Sequence, residues 1–193
     1  LNMRKQKVAK HTVALRALNE QSIEAYKPLL SEAGLDHLLT AQGSLLTFET
    51  TNQSKIEKTA AAFRKEGVNL DILDRNALKE LEPNLETKVK AAIFFKDVAH
   101  TCDPELLGFG LTKHFLKNGG EFLQQDVESV LPHAIGVEIK LKNNTIRFNK
   151  SVIAAGAWSK QLITPLGYKV PLDAERGYHL MLEQKDLINR PVA

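Results

Sequence analysis

One cysteine in 193 residues, Cys102, excludes an internal disulfide and leaves no sulfur pair to hold a metal. The six histidines, His11, His37, His100, His114, His133 and His179, include no i,i+4 pair and no Cys/His spacing of the kind zinc needs, so no metal chemistry is expected. No apolar run approaches the roughly twenty residues of a membrane helix, and the chain does not open on the charged, apolar and small-residue succession of a secretion signal. It starts at Leu1-Asn2 without an initiator methionine, which suggests a processed or truncated product. A charge excess of one sign is missing too: 26 basic residues stand against 23 acidic ones, mixed along the chain, so no nucleic-acid footprint is present. The only basic cluster, Arg4-Lys5-Gln6-Lys7 with Lys10 and His11, fits a solvated helix face. Gly-x-Gly occurs once, at Gly108-Phe-Gly110, inside a helical pattern and with Lys113 where a third glycine would stand, so a phosphate-cradling loop is absent. There is no internal repeat and no low-complexity linker.

What is present is an ordinary globular composition, 43% hydrophobic, enough for one well-filled core or two small ones. Residues 6–33 carry apolar positions at helical spacing (Val8, Leu15, Leu18, Ile23, Leu29, Leu30), with Pro28 expected to kink the end and Gly34 to stop it. Strands are expected at 43–50, 69–73 and 91–95, and helices at 53–66, closed by Gly67, and from the Asp74 cap to Pro83. Asp103 as N-cap and Pro104 at the first helical position open the best-punctuated helix, which Gly119-Gly120 ends. Strands are then expected at 121–127, 136–141 and 145–149, the last two joined through Lys142-Asn-Asn-Thr145.

Around Ser151-Val-Ile-Ala-Ala-Gly-Ala-Trp-Ser159 the rest is organised. Val152 to Ala155 is a short apolar run that predicts a buried strand; Gly156 ends it and the first turns of a helix follow. Such a junction suits a cofactor, because glycine lets backbone N–H groups approach a ligand and a helix start offers unpaired donors. It equally suits any strand-to-helix unit that uses a small residue at its turn. On the residues alone, Val127 suggests core and Trp158 a packing residue closing the turn against the sheet. Tyr178 and His179 could act as general acid or base, but no partner with an identifying spacing accompanies them.

Val152 to Ser159 (VIAAGAWS), followed by Pro171 and by Ala174-Glu-Arg-Gly-Tyr-His179, resembles the FAD-dependent amino-acid oxidoreductase family that includes D-amino acid dehydrogenase, glycine oxidase and sarcosine oxidase, the D-amino acid dehydrogenase branch above all. Asp74-Arg-Asn-Ala-Leu-Lys-Glu-Leu-Glu-Pro83 is similar to that family's helix ending in Leu-Glu-Pro, and Cys102-Asp-Pro-Glu-Leu106 to its Asp-Pro helix entry. The resemblance implies the central portion of an α/β flavoenzyme fold with interleaved domains: a substrate-binding part over 1–99, an FAD-binding segment over 100–166, and a return to the substrate-domain sheet over 167–193. It implies that the strand at 121–127 ends beside the adenine with Val127 contacting the ring through its backbone. It implies further that Ala154, Ala155 and Gly156 run past the diphosphate and ribityl part of FAD with Trp158 nearby. Arg176, Gly177, Tyr178 and His179 would form a strand leading from the flavin toward the substrate.

The implied reaction is oxidation of a D-amino acid to the 2-oxo acid and ammonia by hydride transfer to flavin N5, with no catalytic side chain, the flavin carrying the chemistry. A secondary amine of the sarcosine, glycine or proline type is the alternative substrate. Quinone or oxygen is the implied electron acceptor, and the cytoplasm or the cytoplasmic face of the bacterial inner membrane the implied location; an oligomer is compatible with all of this. The family's opening Gly-x-Gly-x-x-Gly turn and its substrate-carboxylate ligands have no counterpart in the chain. The isolated piece is therefore expected neither to hold FAD tightly nor to turn over, and a catalytically silent chain of the same fold is the competing reading.

Overall fold

In the computed structural model, residues 5–178, 180 and 187–193 are described. The chain divides into two compact units, one made of Leu1–Gly120 and Glu183–Ala193, the other of Glu121–Leu182.

The first unit is built on a three-stranded antiparallel sheet. Its strands are β2 (Ser44–Phe48), β3 (Leu70–Leu73) and β4 (Ala91–Phe95), in the order β2-β4-β3. A two-residue ladder, β1 (Leu39–Thr40) with β5 (His100–Thr101), lies beside it in sequence. β4 is central and covered on both faces, which is why Ala-Ala-Ile-Phe-Phe is an unbroken apolar run with no alternation. Its successive side chains still point to opposite sides. Ala91 and Ile93 join Ile56 and Ala60 of helix α3 (Gln53–Lys65) and Leu70. Ala92 joins Leu45, Val89 and Leu78, the last from helix α4 (Arg75–Leu81).

Capping chemistry sets the helix starts. Asn52 accepts a hydrogen bond from the Lys55 N–H at 3.1 Å, and Asp74 accepts one from the Ala77 N–H at 2.9 Å. The expected long helix over 6–33 is two helices, α1 (Lys5–Asn19) and α2 (Ser22–Ala33), separated at Glu20-Gln21, while Pro28 lies inside α2. Gly34 ends α2 with φ 71°, a left-handed value that favours glycine, and its N–H donates to the Leu30 and Ser31 carbonyls. Lys7, Lys10 and His11 are exposed on α1, as a solvated face requires.

Helix α5 (Pro104–Lys117) begins as expected, Asp103 Oδ1 accepting from the Leu106 N–H at 2.9 Å. None of its residues is buried, and Phe109 remains 65% exposed. It packs on α2 and the turn after it, where Leu35 lies so close to Gly110 that a Cβ there would collide with it, and His114 stands 4.0 Å from Glu32 of α2. This packing carries the first unit on to Gly120, past the boundary expected at His100.

The second unit holds a meander of β6 (Val127–Pro132), β7 (Val137–Leu141) and β8 (Thr145–Phe148) in sequence order. Among the described residues, Val130 and Leu141 are its buried apolar residues. The expected strand at 121–127 is displaced: 121–126 are irregular, and the strand starts at Val127 because the register is set by pairing Val127 with Leu141 and Pro132 with Val137. A bulge between Val127 and Ser129 interrupts that ladder. The expected buried strand at Val152–Ala155 does not form; Val152 is 89% exposed, and among the described residues no strand pairs with it.

Candidate cofactor site

The second unit carries every proposed cofactor contact. Val127 is the first residue of β6 rather than the last of a preceding strand, and it is 39% exposed instead of belonging to the core. Downstream, Ala154 is exposed and Ala155 half-buried in irregular backbone. Gly156 then takes φ 53° and opens a 3-10 turn, Gly156–Trp158, closed by the Trp158 N–H on the Ala155 carbonyl at 3.1 Å.

Helix α6 (Ser159–Ile163) continues from that turn and lies along β6, and a second 3-10 turn, Thr164–Leu166, follows. The expected helix is thus short, a single α turn and a half between two tighter turns. Thr164 Oγ1 donates to the Lys160 carbonyl at 2.6 Å, and Lys160 Nζ reaches the Leu172 carbonyl at 3.4 Å, tying the segment after α6 back onto it.

Three features of this bend bear on a ligand. Its side chains are the smallest available, Ala154 and Gly156 are exposed, and no heavy atom beyond the adjoining residues lies within 4 Å of a Cβ built at Gly156. Room alongside bare backbone is what a cofactor passing this way requires, and the residues at this bend leave that room. Trp158 does not close the turn against the sheet as a packing residue would; it is 70% exposed, because the 3-10 turn carries the indole outward.

Arg176, Gly177 and Tyr178 are exposed and irregular where a strand is expected, and Tyr178 is 90% exposed. Among the described residues no hydrogen bond ties them to another element. His179 lies outside the described residues. The unit therefore places Val127 and the Ala154–Trp158 bend on packed elements, β6 and the turn leading into α6, and leaves Arg176–Tyr178 on open chain.

Comparison with known proteins decides the affiliation: residues 4–193 match the DAO family, described as FAD dependent oxidoreductase. The chain belongs to this family. FAD is accordingly the family cofactor, and the mixed helix-and-strand architecture agrees with it. A D-amino-acid oxidase from Bradyrhizobium diazoefficiens is 26% identical over 181 residues, covering 93% of this chain and 43% of that protein. A D-amino acid dehydrogenase from the same organism is 25% identical over 179 residues, covering 89% and 42%. Glycine oxidase from Bacillus cereus superposes with a TM-score of 0.61 at 19% identity, covering 82% of this chain and 43% of that structure. The chain thus spans about two fifths of the length of the family members it matches. Among the described residues no helix is long and apolar enough to cross a membrane.

Proposed function

We propose that this chain is the central segment of an FAD-dependent enzyme that oxidises a D-amino acid to the 2-oxo acid and ammonia. The observation that carries the reading is the open small-residue bend at Ala154–Gly156, with φ 53° at Gly156 and no neighbour where a side chain would stand, in a chain matching an FAD-dependent family over residues 4–193. The D-amino acid substrate is supported by the two Bradyrhizobium relatives, whose names specify it. Bound FAD would accept a hydride from the substrate α-carbon at flavin N5, leaving an imino acid that water hydrolyses to the 2-oxo acid and ammonia.

The chain's own residues position rather than react. Val127 would hold the adenine through backbone atoms, and Ala154, Ala155 and Gly156 would admit the diphosphate and ribityl part because they carry no bulk. Trp158 borders the cofactor, and Arg176 to Tyr178 extend toward the substrate. Electrons pass on to a quinone or to oxygen, in the cytoplasm or at the cytoplasmic face of the inner membrane. Oxidation of glycine or a secondary amine is the second reading, favoured by the superposition on glycine oxidase.

Anaerobic mixing of the full-length, FAD-loaded enzyme that contains this segment with amines, followed by flavin absorbance, separates the readings. Bleaching by D-alanine and not by L-alanine is expected. Bleaching by sarcosine, glycine or proline alone moves the assignment to the second reading, and no bleaching by any of them overturns the enzyme assignment.

A further inference from the structure

On helix α5 the residues Leu106, Phe109, Lys113 and Lys117 recur at three- and four-residue spacing and so share one stripe, apolar in its first half and basic in its second. All four are exposed. Lysine is almost never fully buried unless paired, and among the described residues neither Lys113 nor Lys117 has a carboxylate within 4.0 Å. This stripe is therefore the water side of the helix. The packing side lies one step around it, where Gly110 meets Leu35 and half-buried His114 stands 4.0 Å from Glu32. Leu106 and Phe109 are adjoining large apolar side chains left on the water side, a feature that marks a binding surface when polar residues rim it.

The opposite wall comes from α2 and the turn after it. Contacts pair Gly110 with Leu35 and, one helical turn on, His114 with Glu32, so this wall runs antiparallel to α5. Between the walls lies a groove of about 510 Å³, inside the span of small-molecule sites, roughly 300–1,000 Å³. Leu35 and Leu38 line it together with Leu106 and Phe109, and all its lining residues belong to the first unit. Lys113, Lys117 and Glu32 are its charged lining residues, with His37 and His114 beside them. Two lysines against one glutamate make the groove cationic.

We propose that this groove binds a single-chain anionic amphiphile, with its hydrocarbon chain along Leu35, Leu106 and Phe109 and its carboxylate at Lys113 and Lys117. Charge decides the class of occupant. A cationic head would meet two ammonium groups and a neutral one would leave them without a counter-ion, whereas a carboxylate accepts from both. Length decides the chain: Leu106 and Lys117 are about 16 Å apart along the helix axis, which suits a medium-length fatty acid laid along the stripe. A short carboxylate has nothing to cover Leu106 and Phe109. The groove uses none of the residues proposed for FAD, so its test does not depend on that reading.

Isothermal titration of the full-length enzyme that contains this segment with dodecanoate, kept below its micelle concentration, tests this. Saturable binding is expected, weakened about tenfold by Lys113→Gln with Lys117→Gln, and by a similar factor in Phe109→Ser. All three positions are exposed, so the variants keep the fold. Butyrate has the head without the chain, and dodecyltrimethylammonium the chain with the opposite head; each is expected to bind about tenfold more weakly than dodecanoate or worse. Absence of saturable dodecanoate binding overturns the proposal. So does binding that the variants leave unchanged, which would place the amphiphile elsewhere, and equal binding of the ammonium, which would make apolar contact its only cause. Attachment of the enzyme to phosphatidylglycerol vesicles, lost in the lysine variant and unaccompanied by dodecanoate binding, would assign the face to a membrane surface and overturn the proposal as well.

Discussion

Ile93→Ala is the sharpest test of where stability resides. Ile93 is fully buried in the central strand and touches the cluster of Ile56, Ala60, Leu70 and Ala91. The substitution removes three carbons, worth about 0.8 kcal/mol each or roughly 2.4 kcal/mol in lost transfer energy. A cavity term comes on top, because β4 is pinned on both edges by β2 and β3 and α3 cannot settle into the gap. The total is about 3–4 kcal/mol, a large share of the stability of a domain this size.

Urea unfolding followed by far-ultraviolet circular dichroism is the appropriate assay. Tryptophan emission would miss the event, since the only tryptophan, Trp158, is 70% exposed and belongs to the other unit. Val130→Ala, in the meander, serves as the comparison. A loss below about 1 kcal/mol in Ile93→Ala would refute the reasoning, for it would mean that the covered sheet is not the core.

The remaining predictions are briefer. Asp74→Ala and Asp103→Ala each remove a cap acceptor and should cost about 1 kcal/mol, with the Asn variants near neutral, read as shifts in thermal midpoint. Gly156→Ala meets no neighbouring atom, so in the absence of FAD its cost is the left-handed backbone alone, about 1–2 kcal/mol, with Asn costing less. If the bend borders FAD, both variants, placed in the full-length enzyme that contains this segment, must also lessen the thermal stabilisation produced by FAD; an undiminished stabilisation removes Gly156 from the site. Lys88 is held above the ordinary lysine value of 10.5 first by its hydrogen bond to Glu86, then by the charges of Glu86 and Glu49. A raised folded-state value means the contribution is full below the unfolded value and lost as pH rises through the folded one. Glu86→Gln should therefore lower the Lys88 midpoint in a side-chain nitrogen titration, and an unmoved midpoint would refute the pairing.

The legible parts of the fold were those whose cause is local. Asp74, Asp103 with Pro104, and Gly34 each mark a helix end through a hydrogen bond or dihedral spanning four or five residues, and each stands where expected. β4 was legible for a different reason, burial on both faces leaving an apolar run that only a central strand explains. What failed depended on partners. Val152-Ile-Ala-Ala has the letters of a strand, but a strand exists only through a neighbour, and none among the described residues pairs with it. The shift from 121–127 to Val127–Pro132 likewise came from register against β7, which apolar content does not encode. At the site, the bend at Gly156 was legible from glycine and its small neighbours, and the outward Trp158 was not, because the 3-10 turn that rotates it has no sequence mark of its own. Glu82 was visible only within a likeness to a Leu-Glu-Pro motif; its partner, Arg190, stands 108 positions away.

The pairing of Pro191–Ala193 with β2 also orders events during biosynthesis. The β2-β4-β3 sheet lies within the first 120 residues and can consolidate as soon as it leaves the ribosome, whereas the segment that meets Leu45 and Thr47 emerges only after the whole meander has been made. In that interval Leu45 and Thr47 present bare backbone donors, and a nascent chain is then most open to pairing with the wrong strand.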